Sequence, residues 1–174
     1  LPLLEGLNGR NVIQGASPLS DKVGQAIFDP AFEVIDDGSL GYAWRTAPRD
    51  DEGVPTSRKA LIAGGVVRQF LYDLRTAGEA GTASTGNGFK RGFFGGGVNS
   101  APGIFPGTWL VTPGPDSLET ILGGLDEALL VESILGMGQG NVMAGEFSNN
   151  VALGFLVRRG EIVGRVKTTM IAGN

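Results

Sequence analysis

The thirty glycines of this 174-residue chain follow no fixed period and fall between short apolar runs. Glycine adopts positive φ without steric cost, so this distribution favours tight turns and close strand approaches, and the missing three-residue period excludes a collagen helix. The clearest case is Gly64-Gly65, which separates the apolar stretches 59–63 and 66–72. Two strand-like runs joined by two glycines predict a β-hairpin with a two-residue turn. Arg159-Gly160 repeats the arrangement between 151–157 and 161–166. LIAGGVV and LVRRGEIV thus share a strand, turn, strand pattern, which either an internal duplication or common hairpin grammar explains.

Helical signals are few. Residues 17–28 place Leu19, Val23, Ala26 and Ile27 at helical spacing, and Asp29-Pro30 would end that helix. Residues 31–36 read as a strand, with the following DDGS as its turn. Asp73 is placed to cap a short helix that stops at Gly81. Residues 108–112 read as a strand. Asp116 with Glu119 predicts a capped helix carrying Leu118, Ile121, Leu122 and Leu125. Residues 129–135 and 142–147 are further strand candidates, and 81–107 is a long loop rich in glycine and phenylalanine. The expected fold is α+β: mostly antiparallel strands, with hairpins curling into a sandwich or incomplete barrel and two or three short helices. Uniform composition over this length predicts a single domain, 1–174.

The sequence contains no histidine and no cysteine. That removes the usual zinc ligands, the commonest general base and the Ser-His or Cys-His pairs of covalent catalysis. Carboxylate, Lys, Tyr and hydroxyl chemistry remain, with oxygen-ligated ions as the compatible metals. A net charge of −4 without a basic block argues against direct nucleic-acid binding. No apolar run reaches the roughly 20 residues of a membrane span.

Three places nevertheless concentrate polar chemistry. Asp50, Asp51 and Glu52 are consecutive carboxylates. They are read as the polar entrance to the hairpin in preference to an ion site, because neighbours in an extended segment point to opposite sides. Ser84, Thr85, Gly86 and Asn87 could present backbone N–H groups and an amide to an anion or a peptide strand. Their sequence lacks the Lys and Ser/Thr of a phosphate loop and the strand-loop-helix context of a dinucleotide site. Glu146, in GEFS, is either a buried acid that orients a peptide or pins a loop, or an exposed turn acid.

Taken in order, DDEGVPT, the hairpin ending in FLYD, STGN, PGPDSLET, GEFS, GFLVRRGEI and terminal IAGN resemble the C-terminal domain of the TldD/PmbA family, formerly called modulators of DNA gyrase. The resemblance covers residues 15–174. It implies a cytoplasmic prokaryotic protein acting in pairs, in which a TldD-type subunit carries zinc and cleaves unstructured peptides while a PmbA-type, or TldE-type, partner lacks the metal. The HExxxH helix and the further cysteine ligand of the catalytic type have no counterpart in a chain without His or Cys. The closing GFLVRRGEIVGRVKTTMIAGN is closer to the PmbA branch, whereas 89–106 is longer and richer in Gly and Phe than the family's usual connection.

The expectation is therefore the C-terminal domain of a PmbA/TldE-like subunit of a metallopeptidase assembly, binding and positioning an extended peptide without cleaving it. The family's N-terminal domain and last strands are expected outside these residues. No catalytic residue and no metal ligand is expected in this chain; zinc would belong to the intact protein or its partner subunit. The implied partners are a TldD-like paralogous subunit or a second copy, together with an unstructured peptide, with no direct nucleic acid and no membrane. Two alternatives stand beside this reading. The intact polypeptide is itself a zinc peptidase with ligands elsewhere, or the chain is a structural interaction module working through its aromatic loop.

Overall fold

A computed structural model describes residues 2–91, 96–136, 141 and 144–173. The fold is α+β, with four short helices and antiparallel strands among the described residues. Two compact units divide the chain, one of Leu3–Thr112 and the other of Pro113–Asn174 with Leu1–Pro2. The loop residues Phe93 and Phe94, the strand expectation at Val142 and Met143, and the closing Asn174 lie outside the described residues.

The first unit is built on a four-stranded sheet. Helices α1 (Pro2–Gly6) and α2 (Gly9–Ile13) precede β1 (Val34–Asp37), β2 (Arg58–Ala63) and β3 (Val66–Val67). Helix α3 (Leu74–Ala80), the two-residue pair β4 (Gly88–Phe89) and β5 (Gly103–Ile104), and β6 (Thr108–Val111) follow. The sheet order is β3-β2-β1-β6. Gly64 and Gly65 take φ of 59° and 73°, so the glycine hairpin forms where the sequence places it. β3 stops at Val67 instead of reaching Tyr72 because the chain then pairs elsewhere: Leu71 N–H donates to Leu7 O and Leu71 O accepts from Gly9 N–H.

The helix expected over 17–28 does not form. Ser17 Oγ accepts from Leu19 N–H and donates to Gly6 O, and the segment then runs along β3. There Gly24 N–H donates to Val67 O and Val67 N–H to Gln25 O, so backbone groups that a helix would pair internally instead cover a sheet edge. The apolar side of the sheet holds Leu7, Leu19, Val34, Leu61, Ile62, Val67, Phe70 and Leu71, all buried. A register shift between Val34 and Ile35 leaves Leu61 as an extra residue opposite β1, and this bulge lets the consecutive Leu61 and Ile62 both be buried.

Asp73 caps α3 as expected, in a reciprocal capping box with Thr76, and Gly81 closes the helix in the left-handed conformation.

The second unit is organised by β8 (Phe147–Arg158), twelve residues long. It pairs antiparallel with β7 (Glu127–Ile134), β9 (Glu161–Arg165) and β10 (Met170–Gly173). Arg159 and Gly160, at φ of 51° and 81°, make the hairpin turn. Helix α4 (Leu118–Gly123) begins one residue later than expected, because Ser117 and not Asp116 accepts from Thr120 N–H. No helix among the described residues is long and apolar enough to cross a membrane.

Candidate functional site

The polar centre of the first unit starts from strand register. Asp36 of β1 stands opposite Lys59 of β2, and both are buried. Lys59 Nζ lies 3.0 Å from Asp36 Oδ2. Removing two charges from water costs several kcal/mol per ion unless further hydrogen bonds complete both partners. They do so here: Asn87 Nδ2 donates to Asp36 Oδ2 at 2.9 Å, Gly107 N–H donates to Asp36 Oδ1 at 2.6 Å, and Lys59 Nζ also donates to Asn87 Oδ1 at 3.2 Å.

Asn87 is fully engaged. Its second Nδ2 hydrogen reaches Phe105 O at 2.9 Å, and Thr85 Oγ1 donates to its Oδ1 at 2.7 Å. Thr85 Oγ1 accepts from Tyr72 N–H, and Ser84 Oγ donates to Tyr72 O. Gly86 has φ of 71° and packs so closely on the Pro55 carbonyl that a Cβ would collide with it. The Ser84–Asn87 stretch is therefore an internal clamp, tying the strand pair to the segment that leads into β6, and not an open cradle for an anion. Asn87 was a sequence candidate; Asp36 and Lys59 were not. The signal for them was an acid inside an apolar strand and a lysine opening another, since each needs a partner once buried.

Asp50, Asp51 and Glu52 do not converge. Asp50 is buried; its Oδ1 accepts from the N–H groups of Glu52 and Val54, and its Oδ2 from Gly88 N–H at 2.9 Å. Asp51 Oδ2 accepts from Lys90 N–H at 2.6 Å, and Glu52 Oε2 from Leu74 N–H at 2.7 Å. Three adjacent carboxylates thus reach two segments, fastening the turn to β4 with its following residue and to the start of α3. Glu146 is exposed just before β8, in the other unit.

Zinc fits poorly with this donor set. Nitrogen and sulfur ligands are missing from the sequence, the acidic trio is spent on backbone N–H groups, and no cluster of three metal-ligating side chains occurs among the described residues. No chemistry through a metal is assigned to these residues.

Among the described residues, two clefts of the first unit bear on these side chains. The larger, about 370 Å³, is lined by Ser57, Lys59, Gln69, Tyr72, Ser84 and Thr85 among others. Burial raises the Tyr72 phenol above its ordinary value of 10.0, so the phenol itself stays neutral at physiological pH. The second, about 260 Å³, is lined by Trp44, Arg45, Gly107, Thr108 and Trp109, beside β6. On β1, burial pushes the Asp37 carboxyl upward, but hydrogen bonds from Ser39 Oγ and N–H, with the Arg58 guanidinium at 3.6 Å, outweigh it and hold the group below its usual 3.8.

The profile of the family described as PmbA/TldA metallopeptidase C-terminal domain matches residues 2–174. Among solved structures, the chain is similar to TldE from Thermococcus kodakarensis, with 32% identity and a TM-score of 0.84 over 99% of this chain and 38% of that one. A candidate modulator of a DNA gyrase from Thermotoga maritima is similar at 34% identity and a TM-score of 0.82, covering 98% of this chain and 37% of the other. The metalloprotease PmbA homolog of Buchnera aphidicola shares 28% identity over 99% of this chain and 35% of its own length. The chain spans at most 39% of the length of the first curated relatives that it matches.

Proposed function

Because the chain belongs to the PmbA/TldA metallopeptidase C-terminal domain family, we propose that it shapes the peptide cleft of a metallopeptidase assembly, as the C-terminal domain of a PmbA/TldE-like subunit that positions peptide without cleaving it. The likeness to TldE and to a PmbA homolog supports this branch, as does a sequence without His or Cys. Zinc would then belong to the rest of the intact polypeptide or to a partner, either a TldD-like paralogous subunit or a second copy, in the cytoplasm.

The observation that carries the cleft reading is the asymmetry of the first sheet. At one end, β3 is covered by residues 24–26. At the other end, β6 pairs with β1 on one side and has no strand on its outer side among the described residues. An unpaired edge offers N–H and C=O groups to an extended chain, which reads backbone and tolerates varied side chains. Folded substrates cannot present such a strand, so the assembly would act on unstructured peptides.

The test uses the intact protein and a labelled unstructured peptide, with a second peptide N-methylated at alternate amides. N-methylation removes the donors that pair with a sheet edge and leaves the side chains in place. At least a tenfold weakening of anisotropy-monitored binding is expected; equal binding of the two peptides would remove the edge from the account. That several curated relatives are named metalloproteases favours a second reading, a zinc peptidase with its ligands outside these residues.

A further inference from the structure

We propose that the cleft beside β6, built from Trp44, Arg45, Thr108 and Trp109, is a carboxylate subsite that takes the side chain of an acidic residue in a peptide paired along that edge. The inference rests on the edge reading above and adds a sequence preference to it.

Arg45 supplies the recognition. Its guanidinium carbon lies 5.0 Å from the centre of the Trp44 ring, and Trp44 itself is 91% exposed. Stacking on an aromatic ring occupies the guanidinium face and leaves its in-plane N–H groups for a bidentate acceptor. Among the described residues, Arg45 makes no ion pair.

Its surroundings sharpen the preference for negative charge. Arg91, stacked on Phe89 at 4.2 Å, is held below its ordinary value first by burial and then by the positive charge of Arg45. The two guanidiniums therefore sense one another. Asp51 is the acid that offsets Arg91, and one of its oxygens is already committed to Lys90 N–H. A bound carboxylate would relieve this repulsion.

Thr108 lines the same cleft at the strand itself. The larger cleft offers no comparable cation, because its Lys59 is already held by Asp36 and Asn87.

The experiment measures binding of two C-terminally amidated unstructured peptides to the intact protein, identical except for one Glu or Gln. Amidation ensures that the only added carboxylate is the side chain. The expected result is about tenfold tighter binding of the Glu peptide, in keeping with a charge-assisted pair, and loss of that preference in Arg45→Gln with the affinity for the Gln peptide unchanged. The unchanged affinity also reports that the variant folds. Equal affinities in the unsubstituted protein, or a preference that survives Arg45→Gln, would overturn the subsite and leave the edge reading standing. If neither peptide binds, the edge reading fails and the subsite fails with it.

Discussion

Replacing Lys59 with methionine is the most demanding test of the Asp36–Lys59–Asn87 centre. Methionine nearly matches the aliphatic stem, so the change removes the ammonium and leaves Asp36 buried without its counter-charge. Breaking one side of a buried pair costs roughly 3–5 kcal/mol. Asp36 would keep two of its three donors, Asn87 Nδ2 and Gly107 N–H, and Asn87 Oδ1 would keep Thr85. The loss should therefore fall near the lower end, about 3 kcal/mol. For a chain of this length that is roughly a 6–12 °C fall in Tm. Urea unfolding followed by tryptophan fluorescence is a suitable assay, since both tryptophans, Trp44 and Trp109, lie in the first unit. Combining Lys59→Met with Asp36→Asn removes both charges, so the double variant should be less destabilised than the sum of the single ones. Additivity within about 0.5 kcal/mol would refute the idea that these residues act as one unit.

Other perturbations separate the remaining parts. Asp50→Ala should cost about 2–3 kcal/mol, because buried Gly88 N–H loses its acceptor, whereas Glu52→Ala should cost under ~1 kcal/mol; equal thermal shifts would contradict the assigned contacts. Gly86→Ala meets both a positive φ and the Pro55 carbonyl, so a loss of at least ~1–2 kcal/mol is expected in denaturant unfolding. Asp37 has a folded value below its unfolded 3.8, so its stabilisation is complete above 3.8 and is lost as pH falls through the folded value. Asp37→Asn should accordingly lower stability at pH 7 and converge with the unsubstituted chain in acid; a constant gap across that range would refute this linkage.

What could be read from sequence was what neighbouring residues settle among themselves. The Gly64-Gly65 turn, the Asp73 cap and the Arg159-Gly160 hairpin each depend on a few consecutive residues, and each forms as expected. The helix expected over 17–28 failed because β3 competes for the same backbone groups, and β3 itself is short because Leu71 pairs with the N-terminal segment. Such outcomes depend on partners far along the chain. The acidic trio lies in the turn ahead of β2, and its reach to Gly88, Lys90 and Leu74 is invisible to sequence spacing. Asp36 and Lys59 escape sequence reading for the same reason: twenty-three positions apart, they meet only through antiparallel register.

The most direct test of the central claim is the zinc content of the intact polypeptide after exhaustive dialysis, measured by elemental analysis. A PmbA/TldE-like subunit that positions peptide predicts no retained stoichiometric zinc. One tightly held zinc per chain would contradict it and make the intact polypeptide a peptidase in its own right.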